Sequence, residues 1–229
     1  MKKVFLLMAV MFLTGSLCNA QKFNDLINLT RYAKANAELA PPVKGEHRVV
    51  IIGNSVTDNW ARMRPDFFKN NNYIGRGISG QTSPQLLSRF RRDVINLKPQ
   101  IVVIHIGTND VAENTGTFDE QFTLENIESM AQLAQANKIK VVLTSVLPTA
   151  LYPWRKTIEN VPDKIAKLNA DIEAYAKTHK CSYINFYESM LNPQTRGMKD
   201  GLSKDDVHPT DKGYEIMEEL VIKTVNRIK

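Results

Sequence analysis

The chain has 229 residues, 43% of them hydrophobic, with a formal net charge of +6 and two cysteines. That length suits one sizeable domain with a real core. The modest charge, with acidic residues spread throughout, argues against a nucleic-acid partner. Once a leader carrying Cys18 is set aside, Cys181 stands alone, which excludes an intrachain disulfide or a cysteine metal cluster from the rest of the chain.

The first element in chain order is an export signal over residues 1–20. Lys2 and Lys3 supply the basic start, Val4 to Leu13 the apolar run, and Cys18-Asn19-Ala20 the small residues before a cut at Gln21. The run is too short to span a bilayer. Residues 21–229 are therefore expected to form one secreted or periplasmic domain without a transmembrane segment. Lipoprotein processing at Cys18 is the competing reading, weakened by bulky Leu17 in front of it.

Phe23 to Ala40 then reads as a helix on the outside of the domain, with apolar Leu26, Leu29, Tyr32 and Leu39 and a stop at Pro41-Pro42. Arg48 to Ile52, ending at Gly53, is a β-branched run of the kind buried on both faces. Ile101 to Ile106, Val141 to Leu147 and, more weakly, Tyr183 to Phe186 repeat it. Helices fill the intervals. One opens at Ser83-Pro84, with Ser83 as cap and Leu86, Leu87, Phe90 and Val94 on one face. The next carry Ile127, Met130, Ala131 and Ala134, then Ile165, Leu168, Ile172 and Tyr175, then Ile216, Met217, Leu220 and Val221. Arg89, Arg91 and Arg92 are expected on a solvated helix face. Alternating strands and helices imply right-handed crossovers and a mainly parallel sheet covered on both faces, and such sheets bind ligands beyond the carboxyl ends of their strands.

Unusual polar residues collect at those ends. Gly53-Asn54-Ser55-Val56-Thr57 places a serine two residues after a strand-ending glycine; taken alone, that is more often a helix cap than a nucleophile. It is not the G-x-S-x-G elbow, because Thr57 stands at the second glycine position. Gly107-Thr108-Asn109-Asp110 follows the next strand and brings an amide toward the same crevice, although all four residues are ordinary turn formers. Asp205-Asp206-Val207-His208-Pro209 sets a carboxylate three residues before a histidine, close enough to hold one imidazole tautomer while the other nitrogen accepts a proton. Of the other histidines, His47 and His179 read as surface residues and His105 lies in a buried strand pattern. Gly75-Arg76-Gly77-Ile78-Ser79-Gly80 formally matches a dinucleotide fingerprint, but it lies outside the first βα turn and no acidic residue closes a following strand at the required distance. Gly80 can instead bring a backbone N–H close to a substrate.

Gly53-Asn54-Ser55, Gly80, Gly107-Thr108-Asn109-Asp110 and Asp205 with His208 occur in an order and spacing that resembles the SGNH/GDSL hydrolase family along nearly the whole chain beyond the leader. Gly77 to Thr82, and His208-Pro209 to Gly213-Tyr214, look more like the branch related to platelet-activating-factor acetylhydrolase subunits. The resemblance implies a three-layer α/β/α, flavodoxin-like domain with no cofactor. It further implies that Ser55 is the nucleophile, His208 its base and Asp205 the partner of His208, with an oxyanion hole from the N–H groups of Ser55 and Gly80 and the Asn109 amide. Asn54 departs from the family's usual Gly-Asp-Ser, keeping the size and losing the charge.

The substrate is then expected to be a small-molecule or glycan ester, with short-chain acetyl esters of carbohydrate foremost and a lipid or lysophospholipid acylhydrolase next. A catalytically inactive glycan-binding relative and a metal phosphodiesterase built on Asp110, Asp205 and His208 are further alternatives. Trp60, Tyr152, Trp154 and Arg155 are the candidate substrate contacts, the last three on the loop Pro148 to Asn160; the aromatic ones serve equally well as cover for the sheet edge. Oligomeric state is left open.

Overall fold

The four apolar runs become the strands β1 (Val49–Gly53), β3 (Ile101–His105), β4 (Lys140–Thr144) and β5 (Ser182–Ile184), and a further strand, β2 (Tyr73–Gly77), forms from the glycine-containing stretch between the first two. The structure, a computed structural model, describes residues 24–229; the expected leader and Cys18 lie outside the described residues. All strand pairs are parallel, in the order β2-β1-β3-β4-β5. Register holds the chemistry together, because Gly53 at the end of β1 pairs with both Gly77 and His105. The loops after β1, β2 and β3 therefore leave from one level at one edge.

Alternation along the strands divides the interior into two layers. Val50, Ile52, Val102 and Ile104 face one way, against α4 (Ser83–Asp93), α6 (Glu120–Ala136) and α7 (Val161–Thr178). Val49, Ile51, Ile101 and Val103 face the other, against α2 (Ser55–Met63), α3 (Pro65–Asn71), α8 (Phe186–Met190) and α9 (Asp211–Ile228). Each fully buried branched side chain contributes about 1.5–3 kcal/mol. The expected three-layer α/β/α domain with a parallel sheet is what forms. Among the described residues, no helix is long and apolar enough to cross a membrane.

Three local expectations need correction. The helix expected over Phe23 to Ala40 is broken: a helical turn at 24–27 is separated from α1 (Ala33–Glu38) at Asn28, whose φ is +54°. In keeping with the rejected dinucleotide reading, strand β2 runs on through Gly75 to Gly77, and only Ile78 to Gly80 form the loop beyond it. Helix α2 lies directly on the strand: a Cβ at Gly75 would sit 2.7 Å from that of Ala61, and one at Gly77 would enter the Asp58 backbone. The cap of α4 is Thr82, in a capping box with Gln85, which leaves Ser83 free to donate elsewhere. Arg91 and Arg92 are exposed as expected, but Arg89 is 0% exposed, drawn inward because the strand carbonyls of Gly53 and Arg76 and the side chains of Gln81 and Asp93 offer four acceptors to its guanidinium.

Candidate active site

The end of β1 and the start of α2 form a turn with no slack. A Cβ on Gly53 would collide with the Thr57 hydroxyl and the His105 carbonyl. Asn54 is fully buried and caps α2, its Oδ1 accepting from Val56 N–H at 3.2 Å and its carbonyl from Asp58 N–H at 2.9 Å. Capping requires an acceptor oxygen and no charge, so asparagine fills the position as aspartate would. Ser55 is thereby the first residue of α2, at the helix's positive end, where backbone N–H groups have no partner within the helix.

Opposite it, Ser203 to Pro209 fold back on themselves. The Ser55 hydroxyl donates to His208 Nε2 at 2.9 Å, and His208 Nδ1–H donates to Asp205 Oδ2 at 2.7 Å. Asp205 Oδ1 accepts from the N–H groups of Val207 (3.0 Å) and His208 (2.7 Å), and the Ser203 hydroxyl donates to the His208 carbonyl at 2.8 Å. Burial works to raise Asp205, but the hydrogen bonds from the His208 ring and from those two N–H groups outweigh it and hold the carboxyl below its ordinary range. Asp205 is thus the partner of His208. Its neighbour Asp206 points away, accepting from Met198 N–H at 3.0 Å and Ala150 N–H at 2.6 Å.

The β2–α4 loop supplies the third side. Gly80 has φ +81° with open space beside its Cα, so what it requires of glycine is the backbone conformation. Asn109 lies on the short helix α5 (Thr108–Val111), is 2% exposed, and donates one amide hydrogen to the Gln81 carbonyl at 2.9 Å, bringing its block against the Gly80 loop. Arg89 lies beneath both, donating to Gln81 Oε1 (2.6 Å), Asp93 Oδ2 (2.9 Å) and the carbonyls of Gly53 and Arg76 (2.9 Å each). The segment before β1 closes this layer: the carbonyls of Ile27 and Leu26 accept from Gln81 and Gln85, Tyr32 donates to the Gly77 carbonyl, and Asn36 donates to Asp93 at 2.7 Å.

Ser55, His208 and Asp205 are therefore brought together, with Gly80 and Asn109 on the same sheet edge. The four expected substrate contacts divide. Trp60 is 1% exposed, stacked between Phe67 and Tyr214, and donates to Glu218: it is core, because α2 buries the face that carries Val56 and Trp60. Tyr152 is likewise fully buried under the loop. Trp154 is 46% exposed, its ring 6.5 Å from that of His208 and its Nε1–H on Asn114 Oδ1 at 3.2 Å. Arg155 is exposed on the same loop. Asp110 is not gathered with Asp205 and His208; both its oxygens accept from Ser83 N–H and one from the Ser83 hydroxyl at 2.6 Å, and burial pushes its carboxyl up to about 6. His47 and His179 are exposed and His105 is buried, as expected.

Sequence reasoning missed Arg89, Gln81 and Asn114. Arg89 lies one helical turn from Gln85 and Asp93, and an arginine with an acid at i+4 on the Leu86–Phe90 side of α4 was the available signal. Asn114, whose side chain joins the Trp154 indole to the Gly80 carbonyl, carried no signal at all.

A serine hydroxyl on imidazole, a carboxylate behind it and backbone N–H groups facing the same edge are the parts needed to attack a carbonyl and stabilise the resulting oxyanion. The family model for the GDSL-like lipase/acylhydrolase family matches residues 51–216. The solved structure of a GDSL-like lipase from Bacteroides thetaiotaomicron is 56% identical, with a TM-score of 0.88 over 89% of this chain and 100% of that one. Esterase TesA from Pseudomonas aeruginosa is 26% identical over 188 residues, 80% of this chain and 85% of that protein. An acetylxylan esterase from Xylanibacter ruminicola is 24% identical over 220 residues, 80% of this chain but only 44% of that protein, so the chain spans less than half its length. With a match that runs from β1 into α9, the chain belongs to the GDSL-like lipase/acylhydrolase family of ester-hydrolysing serine enzymes.

Proposed function

We propose that the protein is an exported serine esterase that removes short acyl groups, acetyl foremost, from carbohydrate. The observation that carries the chemistry is the unbroken line from the Ser55 hydroxyl through His208 to Asp205. Ser55 Oγ attacks the ester carbonyl as its proton passes to His208 Nε2, and Asp205 stabilises the imidazolium. The oxyanion is met by the N–H groups of Ser55 and Gly80 and by the Asn109 amide hydrogen not given to Gln81. His208 returns its proton to the departing alcohol, and water then releases the acid from the acyl-serine by the same route in reverse.

The carbohydrate half of the proposal is supported by Trp154. A half-exposed indole beside His208, held by Asn114, offers the flat apolar face that a sugar ring stacks on. One observation favours a lipid acylhydrolase as a second reading: Leu151, next to that platform in the loop, is 50% exposed. Export rests on the basic, apolar and small-residue order of residues 1–20.

Purified protein should hydrolyse p-nitrophenyl acetate faster than the octanoate, and Ser55→Ala should lower turnover on the order of 10⁵-fold or more. A preference rising toward octanoate would select the lipid reading. Failure of the wild type to react with an organophosphate, together with no turnover at any chain length, would remove the esterase and leave a glycan-binding relative.

A further inference from the structure

The turn that presents His208 is self-sufficient: Asp205, Val207, His208 and Ser203 satisfy one another without Asp206. Asp206 nevertheless sits inside it at φ +64°, in the left-handed region that few residues with a side chain adopt. Its two oxygens are both directed outward. Oδ2 takes the N–H of Ala150, near the start of the loop Pro148 to Asn160, and Oδ1 takes the N–H of Met198 in the strip before the turn. The fit around it is closed, since a Cβ on Gly197 would enter the Asp206 carboxylate.

We infer that Asp206 is a positioning residue for substrate selection: it clamps the loop bearing Trp154 to the turn bearing His208, fixing the gap between the alcohol-side wall and the catalytic base. The inference rests on the reading that Trp154 walls the alcohol side. Both backbone donors are satisfied only by a carboxylate, because asparagine has a single acceptor oxygen and would turn its amide against one of the two N–H groups. Charge-assisted bonds of this kind are the strong ones, and Ala150 N–H makes one at 2.6 Å.

Two substitutions separate the carboxylate from the backbone. Asp206→Asn tolerates the positive φ and loses one acceptor; Asp206→Gly adopts the same φ without strain and loses both. Both should raise KM for an acetylated xylo-oligosaccharide roughly tenfold, while KM and kcat for p-nitrophenyl acetate stay within about twofold. Because the chain has two tryptophans and Trp60 is buried, acrylamide quenching reports on Trp154, and it should increase in both variants. Unchanged quenching together with an unchanged KM ratio, whatever happens to the melting temperature, would overturn the clamp. If Trp154→Ala leaves KM for the oligosaccharide unaltered, the wall reading itself fails. Quenching in Asp206→Asn then decides separately whether Asp206 holds the loop.

Discussion

The turn from Ser203 to Pro209 and the buried layer around Arg89 are both polar and both hold a part of the site, yet they are built in opposite ways. In the turn, the bonds that orient Asp205 and His208 close within five residues, and both side chains remain partly open to solvent. In the layer, Arg89 reaches 36 residues back to Gly53 and Asn109 reaches 28 back to Gln81, both out of water, and a partly buried Asn36 reaches 57 forward to Asp93. In the proposed mechanism proton transfer needs a base that meets its substrate, and Asp205 and His208 lie where the chain can present them locally. Holding the Ser55 turn against the Gly80 loop requires a fixed separation between distant segments, and only a buried network supplies it.

Arg89→Met tests the layer most severely. It removes four donors at once and leaves the Asp93 carboxyl with the Asn36 amide in place of a guanidinium. Breaking a buried charge pair from one side costs about 3–5 kcal/mol, which urea unfolding should register. Turnover should fall as well, although Arg89 touches no reacting atom. A loss of under about 1 kcal/mol would mean that the layer is incidental and the comparison wrong.

Asn109→Ala sharpens the comparison where the two designs meet, since one amide supports the loop and, in the proposed mechanism, also meets the oxyanion. Losing an oxyanion donor costs on the order of 10²-fold to 10³-fold in kcat, about 3–4 kcal/mol, with KM for p-nitrophenyl acetate little changed. Steady-state kinetics at a temperature where the variant is folded measures this. Near-normal turnover would assign Asn109 to the loop alone.

The same division explains what could be read in advance. Four of the five strands were legible because β-branched runs buried on both faces have few other uses, whereas β2, with its two glycines and an arginine, was not; the Asp205–His208 pair was legible because its geometry closes within one turn of chain. Arg89 was not, because beside Arg91 and Arg92 it looks like one more solvated charge until the carbonyls of Gly53 and Arg76 are known to lie beneath it. Trp60 and Trp154 both follow strands, and only packing tells them apart: one lies on the Val56 side of α2, against Phe67 and Tyr214, and the other on a loop held by Asn114. The break at Asn28 is marked by neither glycine nor proline. It becomes intelligible only once Gln81 and Gln85 are seen to take up the carbonyls of Ile27 and Leu26.

The smallest expected effect is hidden in the wild type. Burial raises Asp110 to about 6 and lowers His105 to about 4. Asp110 binds its proton more tightly folded than unfolded, so the stability it contributes is full below its ordinary value of 3.8 and is lost as pH rises through about 6. His105 donates Nδ1–H to Thr144, whose hydroxyl donates on to the Ile104 carbonyl, and among the described residues its buried Nε2 has no hydrogen-bond partner that would stabilise it once protonated. Its contribution is full above 6.5 and is lost as pH falls through about 4. Each is worth roughly 3 kcal/mol at 1.36 kcal/mol per unit, and the two slopes oppose each other across nearly the same window. Unfolding free energy should therefore vary little with these groups between about pH 4 and 6.5 in the wild type. Asp110→Asn should unmask a rise with pH from His105, and His105→Gln a fall with pH from Asp110. Parallel profiles for the wild type and both variants would mean that neither group changes its proton affinity on folding, and that these two sites lie outside the water-excluded layer that distinguishes the support from the turn.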